Sequence, residues 1–476
     1  MQDSTDASAV PIRLRTSLPG CSIPYVPYMV PVAWRRAQLS TLVNKVLAAA
    51  AGEHKPLPFD FIADGELLRT SLDEYIAHKG LSHETTIELE YIRSTLPPTL
   101  LDSAAHDDWV SSADARRDGK VMTASFDGNV RIYRTDALSE VPLTLEPVYA
   151  GVRPSLTVAR WLGQESVVTG SMDGIVSCWH VPQDGEGSVP VMRARDMRFH
   201  TAPVSSVDVA TDGDAQSVQV VSAAWNGAVA VWDVSPNVDA VPESSVKRRK
   251  TKSRAEVREE ADSAAAAAAS IEPRVVLHHV APTISAQAAS ALGTSVTPGT
   301  NAKTVAVFGG ADRVWSAAWD GTVKAWDLGA GGALVGQRSS DKVHLAIDAL
   351  APGAGAELVA GNMDHSIALF DLRDQVSAAA VSISNAHGAA VGAVRANPAV
   401  AQLFASGGYD GRLKVWDVRS PKQPLFALAQ PSATTGDAPA KRTKVLALDW
   451  SADGRNIVAG GEDCRISIYQ GASTGM

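Results

Sequence analysis

Gly407-Gly408-Tyr409-Asp410-Gly411-Arg412-Leu413-Lys414-Val415-Trp416-Asp417-Val418 reads as half of a β-hairpin. Asp-Gly supplies the positive φ angles of a tight two-residue turn, and Leu413 and Val415 alternate with Arg412 and Lys414 as in a half-buried strand. The pattern recurs. Aligning on the turn residue gives Asp127, Asp173, Asn226, Asp320, Asp364, Asp410 and Asp463, and six places later stand Tyr133, Trp179, Trp232, Trp326, Phe370, Trp416 and Tyr469. All seven are aromatic in a chain with 6% aromatics, so the column is not a product of chance. The turns are spaced by 46, 53, 94, 44, 46 and 53 residues, a four-strand period broken only between Asn226 and Asp320.

The 476 residues are 45% hydrophobic and 20% charged, a globular composition with room for two or more domains. A net charge of −9 argues against a general polyanion binder and confines nucleic-acid contact to a local basic patch. Cys21, Cys178 and Cys464 are odd in number and lack metal spacing, as expected in a reducing compartment. No apolar run reaches membrane-spanning length, and the first residues lack signal-peptide order, so an intracellular, soluble protein is expected.

Residues 1–9 read as a disordered lead, and residues 10–93 as a small α/β unit. Ile12 to Thr16 alternates as a strand, and Tyr28 to Val32 is a second extended piece. Ser40 is the expected N-cap of a helix carrying Leu42, Val43, Val46, Leu47 and Ala50, with Gly52 as its stop. Pro58 to Ile62 and Glu66 to Leu68 give two strands, Ser71 opens a short helix, and Thr85 to Tyr91 closes the unit as a strand. This is the ubiquitin-like β-grasp order. Residues 94–98, with Pro97-Pro98, form the linker, 99–470 carry the repeats and 471–476 are a tail. Residues 237–273, basic and then Ala-rich, are expected as an insertion between the third and fourth repeats.

The repeats resemble WD-repeat proteins, which implies a seven-bladed β-propeller and a mainly β chain. In that family a His, a Ser or Thr, the turn Asp and the Trp form a hydrogen-bonded clamp in each blade. By that resemblance the sixth blade offers His387, Ser406, Asp410 and Trp416, and the third offers His200, Ser222, Asn226 and Trp232. The fifth blade, with Ala360 and Phe370, and the seventh, with Ala459 and Tyr469, lack the full set. The resemblance also implies that the segment from Thr99 to Ala104 supplies the last blade's outer strand.

No phosphate-binding loop, nucleophile elbow or metalloprotease motif occurs, so no catalytic residues, metal site or cofactor are assigned. A binding ring is expected instead. Lys247, Arg248, Arg249, Lys250, Lys252 and Arg254 form one basic run, open to nuclear import, RNA contact or plain solvation.

Pro58 to Ile62, Gly65 to Leu72, Gly80-Leu81-Ser82 and Asp107 to Ser112 further resemble the ribosome-assembly WD-repeat proteins of the Ytm family, end to end. That resemblance implies a non-catalytic assembly factor for the large ribosomal subunit in the nucleolus and nucleoplasm. The ring would join the block-of-proliferation protein and pescadillo on pre-60S particles. The ubiquitin-like domain would be engaged by the metal-dependent adhesion site of the AAA ATPase midasin, whose Mg²⁺ an acidic side chain completes. Glu84 matches the family's metal-contacting residue, with Asp73, Glu74, Glu88 and Glu90 as local rivals. A ubiquitin-ligase substrate receptor is the alternative reading.

Overall fold

The computed structural model describes residues 9–18, 20–51, 56–94, 97–117, 119–136, 138, 143–147, 154–163, 165–181, 188–191, 193–211, 218–234, 271–279, 303–310, 312–351, 358–371, 381–430 and 443–471. Residues 1–8 of the lead, Gly52, most of the insertion with its basic run, and residues 472–476 of the tail lie outside them, while Ala9, expected in the lead, begins the first strand. The chain is mainly β and divides into two compact units, with a boundary between Pro97 and Pro98.

The first unit runs β1 (Ala9–Arg15), β2 (Pro27–Pro31), α1 (Arg36–Ala51), β3 (Phe59–Ala63), β4 (Glu66–Leu67), α2 (Leu72–Lys79) and β5 (Ile87–Arg93). Its sheet order is β2-β1-β5-β3-β4, with β1 and β5 parallel at the centre. Alternation decides the faces. Val10, Ile12 and Leu14 are buried, as are Ile87, Leu89 and Tyr91, and they share a core with Leu39, Val43 and Leu47 at four-residue spacing on α1. Phe59 meets Tyr91 edge-on with ring centres 5.5 Å apart. Asp64 and Gly65, both at positive φ, close the β3–β4 hairpin in two residues.

Ser40 is not the helix cap. The helix begins four residues earlier, where the Gln38 Oε1 accepts the Arg35 backbone N–H at 3.1 Å, the returning half of a capping box. Ser40 lies inside α1 and its hydroxyl accepts the Phe59 N–H at 3.1 Å, with Asn44 bonding both polar groups of the Leu57 backbone. A Ser before an apolar run carries the same local signal whether it starts the helix or pins the next strand to it.

Among the described residues the second unit forms seven sheets. Their innermost strands are Val110–Arg117, Leu156–Trp161, Val204–Thr211, Thr304–Phe308, His344–Ala349, Val391–Ala396 and Val445–Trp450. Each packs on the next and the last packs on the first, so the ring closes. The outer strand of the seventh sheet is β6 (Thr99–Ala105), antiparallel to Arg465–Gln470. The first and the last strands of the ring are thus paired in one blade, which latches its closure. Middle strands such as Val218–Ala224 are buried at every position, sandwiched between neighbouring blades.

The insertion is placed differently from the sequence expectation. Val275–His278 is the outer strand of the third blade, paired with Ala228–Val234, so residues 235–270 interrupt the third blade and do not follow it. Residues 271–273, expected inside the insertion, precede that strand, with the Ile271 N–H donating to the Asp196 carbonyl at 2.9 Å. A four-residue outer strand is too short to show its period beside a low-complexity run.

Candidate functional site

Two kinds of carboxylate site come from the sequence. The first is the loop after α2. Ser71 caps the helix by accepting the Glu74 N–H, and Gly80 ends it at φ 64°, a left-handed angle that glycine adopts without a Cβ clash. The Leu81 N–H returns to the Ile76 carbonyl at 3.1 Å and the Gly80 N–H to the Ala77 carbonyl at 3.3 Å. The loop is therefore tied to the helix at its start. The Thr85 N–H donates to the Ser82 carbonyl at 3.1 Å, and the Ser82 and Thr85 hydroxyls lie 2.9 Å apart. Glu84 sits at the tip of this double-stitched turn, exposed, with β5 starting at Ile87 and not at Thr85.

Three of its four rivals are more occupied. Tyr25 donates its hydroxyl to Glu88 at 2.7 Å, Glu90 lies 3.8 Å from Arg15, and Glu74 lies 3.6 Å from Arg35. Lys79 engages Asp64 at 3.2 Å and Glu66 at 3.5 Å. Glu84 shares with Asp73 the absence of any ion pair or side-chain hydrogen bond among the described residues, but Asp73 points from the first turn of α2.

The second kind is internal to the ring. In the sixth blade, His387 Nδ1 donates to Asp410 at 3.1 Å, which leaves Nε2 to accept the Ser406 hydroxyl at 2.7 Å. Burial would raise the Asp410 carboxyl, but the bonds from His387 and the Gly388 N–H hold it well below the usual carboxylate range. Trp416 is fully buried in the same blade. The third blade brings together His200 Nε2 and Ser222 Oγ at 2.8 Å, with Trp232 Nε1 donating to the same hydroxyl at 2.9 Å. Asn226 does not close this clamp. Its amide donates to Thr201 at 3.1 Å, His200 Nδ1 has no hydrogen-bond partner among the described residues, and burial pushes that imidazole down to about 4.

The fourth blade holds a set that repeat spacing does not reveal. His279 Nε2 is 2.6 Å from Ser316 Oγ, Trp326 Nε1 donates to that oxygen at 2.6 Å, and His279 Nδ1 lies 4.0 Å from Asp320. At that distance the Asp320 contact is electrostatic and not a hydrogen bond. His279 precedes its serine by 37 residues, against 19 in the sixth blade, because residues 280–302 intervene. In the first blade His106 Nε2 meets Thr123 Oγ1 at 2.9 Å while Asp127 turns to Arg131 at 2.7 Å.

Acidic residues also gather on the innermost strands. Asp114, Asp208, Asp348 and Asp449 accept the backbone N–H of Trp161, Phe308, Ala396 and Ala115 at 2.7–3.0 Å, each on the next blade round the ring. They are blade-to-blade ties, further engaged by Arg116 and Arg395. Among the described residues no cluster of His, Cys, Asp or Glu could hold a metal ion, and no helix is long and apolar enough to cross a membrane.

Comparison with known proteins identifies residues 10–76 as an NLE (NUC135) domain and residues 99–134, 193–233, 380–417 and 434–470 as WD domain, G-beta repeats. The chain is 31% identical to the ribosome biogenesis protein YTM1 of Laccaria bicolor, over 94% of this chain and 92% of that one. It is 30% identical to the protein of the same name in Coprinopsis cinerea, over 99% and 96%, and 30% identical to that of Aspergillus oryzae, over 94% and 91%. An NLE domain joined to a closed seven-bladed ring, matched nearly end to end, makes this chain a member of the YTM1 family of ribosome biogenesis proteins.

Proposed function

We propose that this protein is a non-catalytic ribosome-assembly factor in which the ring binds the precursor complex and the N-terminal unit is a handle for a metal-bearing partner. The observation that carries the reading is Glu84, an exposed, unpaired carboxylate on a loop stitched to α2 and across its own turn. A carboxylate completing another protein's Mg²⁺ shell must be free of its own cations and cheap to immobilise, and this loop meets both requirements. Family membership supports the large-subunit precursor as the setting and nucleus and nucleolus as the location. The resemblance points to midasin's adhesion site as the metal-bearing partner and to the block-of-proliferation protein and pescadillo as partners of the ring. Within this reading the basic run from Lys247 to Arg254 serves import or RNA contact.

The test is binding of the full chain to the isolated adhesion-site domain, with Mg²⁺ and with EDTA, for the wild type and for Glu84→Asp, which withdraws the charge by one methylene. Wild-type binding in Mg²⁺ that is lost in EDTA, and lost again in Glu84→Asp, would put Glu84 on the metal. Binding indifferent to both sinks the handle, and co-purification of cullin scaffolds in place of pescadillo would favour a ligase adaptor.

A further inference from the structure

In all seven blades the residue just before the turn Asp or Asn donates its N–H, at 2.8–3.2 Å, to the carbonyl just before that blade's innermost strand. In the third blade Trp225 bonds Pro203, and in the fourth Trp319 bonds Lys303. One repeated bond thus fixes the side chains at this position as a rim around the channel mouth. Four consecutive blades place large apolar groups there in solvent: Met172 is 38% exposed, Trp225 37%, Trp319 44% and Met363 58%. Met172 and Trp225 line a cavity of about 310 Å³ together with Lys303, and Trp319 and Met363 hold the same rim position on the next two blades. A contiguous arc of this kind on a soluble protein marks a contact surface.

Charge selects the partner. Three lysines stand on this rim. Lys342 has Asp364 at 3.2 Å and Lys444 has Glu462 at 4.0 Å. Lys303 has no carboxylate among the described residues; its ammonium lies over the Trp225 ring, 5.4 Å from the centroid, and burial lowers its affinity for the proton. Of the seven turn positions the only uncharged one, Asn226, sits beside Trp225. The turn residue on the other side, Asp320, is buried beside His279. Among the described residues Lys303 therefore lacks the carboxylate partner that each of the other two lysines has.

We propose that this arc binds a protein segment presenting a carboxylate between apolar side chains, with Lys303 as the carboxylate anchor and Trp225, Trp319 and Met363 as the apolar floor. The inference rests on the assembly-factor reading only in taking the ring as the partner-binding module, and it names the face. A nucleic-acid strand fits less well, because phosphates tracking the rim would meet Asp173, Asp364 and Glu462.

The full chain is tested by fluorescence anisotropy against octapeptides that carry one Asp or Glu flanked by Leu, Ile or Phe, against their Asn and Gln replicas, and against a ten-residue uridine RNA. Acidic peptides should bind, with the amide replicas at least ~10-fold weaker. Lys303→Met should abolish the acid preference while Lys303→Arg keeps it, and Trp319→Ala should weaken both series about tenfold. Unchanged melting temperatures separate these effects from misfolding. No binding by any acidic peptide, equal binding of acid and amide, an unaltered preference in Lys303→Met, or tighter binding of RNA than of every peptide would overturn the proposal. None of these outcomes bears on Glu84, which is read separately through Mg²⁺ and EDTA.

Discussion

Asp410 and Glu84 are both turn carboxylates, and the molecule uses them in opposite ways. Asp410 is buried, takes a hydrogen bond from His387 and two backbone N–H groups from Gly388 and Arg412, and is held ionised by them. Glu84 is exposed and takes none among the described residues. A carboxylate whose acceptor sites are filled inside the fold contributes to stability and has nothing left for a partner. One whose loop is rigid but whose oxygens are open contributes little to stability and is available for binding. The contrast separates residues that build this protein from residues that let others grip it.

The largest effect should come from breaking the buried member. Asp410→Ala takes the acceptor from His387 Nδ1 and from the Gly388 and Arg412 N–H groups in the sixth blade and should cost about 3 to 5 kcal/mol of ring stability, measured by denaturant unfolding, with Mg²⁺-dependent partner binding unchanged in the folded protein. A loss under 1 kcal/mol would show that the clamp is ornamental. Glu84→Ala should do the reverse: no change in the unfolding midpoint and roughly 100-fold weaker binding to the metal-bearing partner, about 3 kcal/mol. A destabilised Glu84→Ala would merge the two classes that the comparison keeps apart.

Acid sharpens the comparison at an intermediate scale. His106 and His200 are buried with their imidazoles pushed down to about 4, in both cases first by burial. Each is neutral in the folded ring, whereas the unfolded chain binds protons below about 6.5. Their contribution is present in full above that value and falls away as the pH drops toward 4, on the order of 1 to 2 kcal/mol each between pH 7 and 5. Asp410 behaves with the same sign in a lower window: its contribution is present above about 4 and is lost on further acidification. Thermal melts at pH 7 and 5 should differ for wild type and less for His106→Gln with His200→Gln. Identical melts at the two pH values would contradict the assignment of neutral buried rings.

The smallest effect is a gain. Asn226→Asp offers His200 Nδ1 the acceptor it lacks and should raise ring stability by up to about 1 kcal/mol, moving the third blade toward the sixth. The same change puts a charge beside Trp225 and should weaken acidic peptides at the rim. A lower melting temperature would mean that the Thr201 contact of Asn226, and not the missing carboxylate, is what the turn needs.

Local pattern was enough for much of this. The turn Asp or Asn with the aromatic six places on defines seven blades because each hairpin encodes its own turn and alternation within a dozen residues. The β-grasp order and the short helix opening at Ser71 were legible for the same reason, whereas the left-handed turn at Gly80 was not. The loop of Glu84 was legible as a loop, and its family match was carried by a short motif. What tertiary structure alone decided involves partners distant in sequence. Ser40 turned out to bond Phe59, the third blade took its outer strand from beyond residues 235–270, and His279 reached a serine 37 residues on. The vacancy at His200 Nδ1 and the lack of a carboxylate on Lys303, both among the described residues, and the apolar rim likewise exist only once neighbouring blades are placed side by side. Periodicity records what a segment does with its own backbone. Which groups remain open after packing is set by non-local neighbours, and in this protein those open groups are the ones available to partners.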